Sequence, residues 1–385
     1  MFAYIGGYTT PDRDGRGNGI NVYDVASNGR WTRIQTVGGL ENPSLFTLNK
    51  AQTRLYSVHG GRSLVSAFSI DPKSGHLTML NQVDPGGGNP VDSALDPTER
   101  FLVVANYGTG TVAVLPLGEN GELNPPSQLV TLQGRPGPNP KEQAASHPHG
   151  VIFDPSGQFV IVPDKGFDKT FIFRFEDGRL TPTAQAAVGA RPGAAPRHAT
   201  FHPTKPVLYV NNELNSTVSV YDWNAETGEA TEKQIVGTLP PAYTGHNTTA
   251  EIAASPDGRV LYVSNRGQDS IAFFDIHSQN GTLGYSAYTS TGGVRPRFFA
   301  LGPGYKHAYV ANQDSDTVVV MDIEPKHGRF IHTGVRVNVG SPSAISFVGT
   351  NYPERPQRPA VTRREQSEEK RGWLKSFVSL ARGRG

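Results

Sequence analysis

The chain has 385 residues, a formal net charge of +2 and no cysteine. The missing cysteine excludes disulfides, thiolate metal sites and a thiol nucleophile. Its 44 Gly and 30 Pro are spread as punctuation rather than gathered into a low-complexity tract, which suits an all-β protein rich in turns.

No segment approaches the roughly 18 uninterrupted apolar residues of a membrane span. Met1-Phe2-Ala3-Tyr4 runs straight into the first repeat, so the reading expects a cytoplasmic protein without a leader. From Asn351 onward nine Lys/Arg face four Asp/Glu, so this tail carries +5 and the rest of the chain −3. The basic balance belongs to the tail and gives the body no reason to bind nucleic acid.

In chain order, one apolar strand recurs seven times: Tyr4-Ile5-Gly6-Gly7, Tyr56-Ser57-Val58-His59, Val103-Val104-Ala105-Asn106, Ile161-Val162-Pro163-Asp164, Tyr209-Val210-Asn211-Asn212, Tyr262-Val263-Ser264-Asn265 and Tyr309-Val310-Ala311-Asn312. The copies lie roughly 50 residues apart, the length of one propeller blade. A full repeat holds a strand such as Ile252–Ala254, the turn Ser255-Pro256-Asp257-Gly258, the recurring strand, an alternating strand from Ser270 to Asp275 and a fourth near Tyr285 to Thr289. Four strands per unit and seven units predict an all-β, seven-bladed β-propeller over residues 1–349. The first unit lacks its first strand, and Ala344–Val348 remains unpaired at the end. Supplying the one from the other closes the ring.

Beyond the ring, residues 350–385 read as a largely disordered basic tail. Trp373, Leu374, Phe377, Val378 and Leu380 give it a short stripe at helical spacing.

First strands line a propeller's central channel, so two columns of residues converge on one face. The column before strand one is Ser44, Val91, His149, Arg197, Glu251, Arg297 and Ser343. Six of these follow a proline, which holds the backbone stiffly, and Glu251 follows Ala250. The column after strand two is Tyr8, Gly60, Tyr107, Lys165, Glu213, Arg266 and Gln313, with Asp164 and Asn265 among the residues one position earlier. Charge is gathered in the consecutive units from His149 to Arg297, while the units around Ser44 and Val91 offer small, apolar or tyrosyl groups.

Each residue also has a plain structural use. Asn after a strand satisfies turn amides, and a single Arg or Glu at a blade edge serves an inter-blade ion pair as readily as catalysis. Three Arg, a His and two Glu at equivalent inward positions suit a small anionic ligand instead. Arg grips phosphate or carboxylate in bidentate fashion, and His and Glu move protons near neutral pH. His147 and His149 lie two apart, but the cations around them argue against a metal. No Gly-rich phosphate loop or serine elbow is present.

These motifs resemble the lactonase family of seven-bladed propellers, which includes bacterial propeller-type 6-phosphogluconolactonases and fungal carboxymuconate cyclases. The likeness covers about residues 1 to 349. It is carried by Tyr4-Ile5-Gly6-Gly7-Tyr8-Thr9, His147-Pro148-His149-Gly150, Pro163-Asp164-Lys165-Gly166, Pro196-Arg197-His198, Asn212-Glu213 and Ser264-Asn265-Arg266-Gly267. Lys165 departs from the family pattern, where a leucine is expected.

The resemblance implies a catalytic set of His149, Arg197, Glu213 and Arg266. In that set His149 or Glu213 activates water, and an arginine stabilises the oxyanion. Arg297, Glu251, Asp164, Lys165, His198 and Asn265 are expected around the substrate, with Arg297 and either Arg266 or Lys165 on its anionic group. The expected partner is a small anionic lactone, foremost 6-phosphogluconolactone, with no cofactor or metal, no nucleic acid and a monomer or weak homo-oligomer. A carboxymuconate cycloisomerase and a non-catalytic binding propeller are the alternatives, because a fold alone does not define an activity.

Overall fold

A computed structural model describes residues 1–349. The tail expected from the sequence, Trp373 to Leu380 included, lies outside the described residues. The described chain forms seven four-stranded antiparallel sheets arranged as consecutive blades. Blade 1 pairs Pro342–Val348 with Phe2–Gly7, register Phe2 to Val348, and continues through Ile20–Val25 and Trp31–Val37. The C-terminal strand therefore supplies the missing first strand and covers an edge that would otherwise expose unpaired backbone groups. Among the described residues no helix is long and apolar enough to cross a membrane.

The recurring second strands are fully buried, as in Val207–Asn212 and His307–Asn312, and form the middle of each sheet. Their β-branched and aromatic residues pack between neighbouring blades, giving seven inter-blade apolar clusters instead of one central core. The repeated tyrosine adds a polar tie. Tyr4, Tyr56, Tyr209 and Tyr262 each donate their hydroxyl to the carbonyl of a turn glycine in the next blade, Gly75, Gly121, Gly281 and Gly328, at 2.7 to 3.0 Å. Those glycines have φ of 67° to 83°, where a side chain is strained.

In six of the seven blades the start of the first strand carries a β-bulge. In blade 5 Pro196 faces Asn212 and His198 faces Asn211, which leaves Arg197 as the extra residue. The same register change leaves Ser44, Val91, Arg297 and Ser343 unpaired in their blades. A bulge re-aims its extra side chain, and here it aims one residue per blade at the channel.

Proline pushes the residue before it toward an extended backbone. Asn42, Asn89, Ala195, Arg295 and Ser341 instead have φ between 41° and 61°. The turn points their carbonyls at strand two, where the N–H groups of Gly60, Tyr107, Glu213, Gln313 and Tyr8 donate to them at 2.7 to 3.1 Å. Lys165 makes the same bond to His147 at 3.0 Å. The two columns are thus locked together through the backbone.

Ring closure yields a test. A chain ending at Thr350 should keep the melting temperature of the full chain. A chain ending at Val339 should lose its cooperative thermal transition, read by circular dichroism, because blade 1 is left with three strands and an open edge.

Candidate active site

The bulge and strand-two columns open into a cavity of about 880 Å³ at one face of the ring. Tyr8, Tyr107, His149, Lys165, Glu213, Arg266 and Arg297 all line it. Arg197 forms part of the narrow waist beneath, with Ser44, Val91 and Ser343. Below the waist a second hollow of about 720 Å³ opens toward the other face, lined by Asp92, His198 and Glu251 among others.

Glu213 is the hub of the mouth. Its carboxylate lies 3.0 Å from Lys165 Nζ, 3.2 Å from Arg197 Nε and 3.3 Å from Arg266 Nη2, and all four residues are buried. Burial by itself would raise its pKa. Arg266, Lys165 and Arg197 together outweigh burial and hold the carboxyl well below the usual carboxylate range. Lys165 also reaches Glu142 Oε2 at 2.5 Å and lies 5.9 Å from the Tyr107 ring centroid.

The arginines are held by backbone as well. Arg197 Nη1 donates to the Ala250 carbonyl, and Arg266 Nη2 donates to the Thr249 carbonyl at 2.7 Å. Their Nε–H groups, though buried, have no hydrogen-bond acceptor, and Glu213 Oε2 has no donor. The Arg197–Glu213 contact is therefore ionic without a formed hydrogen bond. Burial and the neighbouring Arg266 press Arg197 below its ordinary pKa, yet a guanidinium stays charged at neutral pH.

His149 has no carboxylate partner among the described residues, and its buried Nδ1 has no hydrogen-bond partner. Its ring stands edge-on to Tyr107 at 5.4 Å and to His198 at 5.3 Å. Burial first, then the charge of Arg197, keeps its pKa well below 6.5, so the imidazole is neutral at pH 7. His147 is turned away into a stack on Tyr107 at 4.4 Å, its Nδ1 2.9 Å from the Tyr107 carbonyl.

Four of the residues expected around the substrate sit elsewhere. Glu251 is not in the bulge column. Thr249 pairs with Asn265 and Ile252 with Val263, so Ala250 is the counterpart of Arg197, and Glu251 matches His198 one step deeper. The blade lacks the proline that marks this position in the other six, and the sequence register slipped by one there. His198 and Glu251 pair at 3.1 Å below the waist.

Asp164 faces the scaffold, accepting from Ser146 Oγ, His147 N at 3.1 Å and Phe167 N at 2.8 Å. It fastens the loop that carries Lys141 and Glu142 to the mouth. Asn265 is wholly buried and bonds Thr238 and Ser270.

Sequence reasoning missed two groups that line the mouth. Lys141 and Glu142 enter on the loop after blade 3, whose surplus length shows in the sequence as the longest interval between repeats, Val103 to Ile161. Arg13 enters on the excursion from residue 8 to 19, where other blades use a tight turn. Both departures from the period were visible, but nothing in them says where the loops fold.

A sequence model described as "Lactonase, 7-bladed beta-propeller" matches residues 2–347. The chain is 34% identical over 303 residues to the 6-phosphogluconolactonase of Bacillus subtilis, covering 78% of this chain and 84% of that protein. It is 31% identical to that of Formosa agariphila, covering 74% and 83%. The structure of a periplasmic gluconolactonase from Pseudomonas aeruginosa superimposes with a TM-score of 0.83 at 32% identity, covering 91% of this chain and 99% of that one. With the ring, the bulge-borne arginines and the buried imidazole in place, the chain belongs to the lactonase family of seven-bladed β-propellers.

Proposed function

We propose that this mouth hydrolyses a small anionic lactone, 6-phosphogluconolactone foremost, in the cytoplasm and without a cofactor. One observation carries the reading: a neutral, unpartnered imidazole, His149, lines the same cavity as the Arg266 and Arg297 guanidiniums and the same waist as Arg197. The names of the related proteins support the substrate class.

Water attacks the lactone carbonyl and passes a proton to His149. The carbonyl oxygen becomes an oxyanion, stabilised by the positive charge of the Arg197 and Arg266 guanidiniums. The tetrahedral centre then collapses, the ring C–O bond breaks, and the protonated His149 returns its proton to the departing alkoxide. The carboxylic acid so formed loses its own proton to water at neutral pH.

Glu213 is a poor base here. A carboxylate held by three cations binds protons weakly, and its service is to keep Lys165, Arg197 and Arg266 together. It is a positioning residue in this scheme, and His149 is the base.

Three outcomes follow. His149→Ala should reduce lactone hydrolysis to the spontaneous rate, measured by proton release, with the fold intact. In the wild type the acid limb of kcat/KM should lie well below pH 6.5, since the free imidazole loses its proton only there. The limb in kcat should shift upward, because a bound anion offsets the arginine field that depresses His149. Glu213→Gln should destabilise the fold by about 3–5 kcal/mol in chemical denaturation, because buried cations are left without their counter-charge. Inorganic phosphate should restore part of that loss.

A further inference from the structure

Arg297 is the bulge residue of blade 7, and the sequence paired it with Arg266 or Lys165 as the grip on the substrate's anionic group. Both of those are engaged by Glu213, and Lys165 by Glu142 as well. Arg297 instead stands beside Tyr8, its guanidinium carbon 5.1 Å from the ring centroid. A second guanidinium, Arg13, lies 4.9 Å from the same centroid. Neither arginine has a carboxylate partner among the described residues, and Arg13 Nε is buried with no hydrogen-bond acceptor. Among the described residues the Arg13 guanidinium makes one side-chain hydrogen-bond approach, a long 3.5 Å from Nη2 to the Tyr8 hydroxyl.

Arg13 is not a loose surface arginine. Its loop is bolted to blade 2 by Asn42, whose Oδ1 accepts the N–H of Thr9 at 2.8 Å and of Thr10 at 3.1 Å. It is bolted to blade 7 by Arg16, which pairs with Asp316 at 2.8 Å and donates to the Gln313 carbonyl at 2.9 Å. Among the carboxylates that line the mouth, Asp12 pairs with Arg62 and Asp314 lies 4.0 Å from Arg295, and Asp14 and Asp269 stand on the rim beside them. Desolvation alone would raise the pKa of the buried Tyr8 phenol. Arg297, Arg13 and Arg197 instead bring it below its ordinary value.

We infer that Arg13, Arg297 and Tyr8 form a dianion subsite over the closure seam of the ring, which takes the phosphate end of a phosphorylated lactone while the reacting carbonyl lies on the side of His149, Arg197 and Arg266. This rests on the lactonase reading and adds to it a place for the phosphate and a cause of selectivity. The Arg fork and the phenol O–H supply donors that a phosphate monoester accepts and a neutral hydroxymethyl group cannot use. The subsite separates recognition from chemistry, since the groups that grip the phosphate are not those tied up around Glu213.

The test compares two lactones that differ only in the phosphate, 6-phosphogluconolactone and glucono-1,5-lactone, with wild type, Arg13→Met and Arg13→Lys. Loss of one charged, forked contact should lower the ratio of kcat/KM for the phosphorylated over the unphosphorylated lactone by about tenfold or more in Arg13→Met. Arg13→Lys should fall between that variant and the wild type. Melting curves confirm that each variant folds. An unchanged ratio in Arg13→Met overturns the subsite even if both activities drop. Should the wild type hydrolyse neither lactone, the catalytic reading fails, and calorimetry with inorganic phosphate still decides the subsite. Binding to wild type that weakens by about tenfold in Arg13→Met supports it, and equal binding or none overturns it.

Discussion

A single backbone contact repeats around the ring, and the mouth depends on it. The residue after strand two donates its N–H to the carbonyl just before the proline that opens strand one, at 2.7 to 3.1 Å. Proline has no N–H to satisfy, so the chain can turn there without orphaning a donor. The next residue becomes the extra member of a bulge and must point into the channel. Because the device is made of main chain, any side chain can stand at the two columns without disturbing the blades. Serine and valine occupy them on one side, arginine and histidine on the other.

That freedom lets the protein gather four cations at one face of the ring. Lys165, Arg197 and Arg266 are buried around one carboxylate, and Arg297 stands beyond its reach. Removing so much charge from water is unfavourable unless counter-charge and hydrogen bonds are supplied. Glu213 and the carbonyls of Thr249 and Ala250 supply them only in part. Burial and then the remaining positive field keep His149 neutral, and the same field lowers Tyr8 against its burial, so the mouth sets a neutral imidazole in a positive field.

The fold was largely legible in the sequence because its evidence is local. Period-two alternation, the Pro-Gly turns and the recurring Tyr strand each specify one blade, and the orphan strand Ala344–Val348 specifies the closure. The site was legible where the proline marked the register, as at His149, Arg197 and Arg297. It failed by one residue at Glu251, where Thr249 stands in the proline's place and Ala250 takes the bulge. Asp164 and Asn265 belong to the right positions in the repeat but point to the opposite side of strand two, as alternation requires of residues next to Lys165 and Arg266. Arg13, Lys141 and Glu142 stand in no column, so periodicity could not register them.

By itself, then, the chain's amino-acid order determined seven blades, the seam between Phe2–Gly7 and Pro342–Val348, and a crowd of cations and one imidazole on one face. Those features follow from contacts between near neighbours in sequence or from an exact repeat. Which cations spend their charge on Glu213, and which remain free beside Tyr8, was decided only by the tertiary structure. Ion pairs across a ring depend on distances between blades, and no period in the sequence encodes them. The loop that brings Arg13 to Arg297 crosses the seam, joining residues 13 and 297 in one cavity, and only the closed ring sets them face to face.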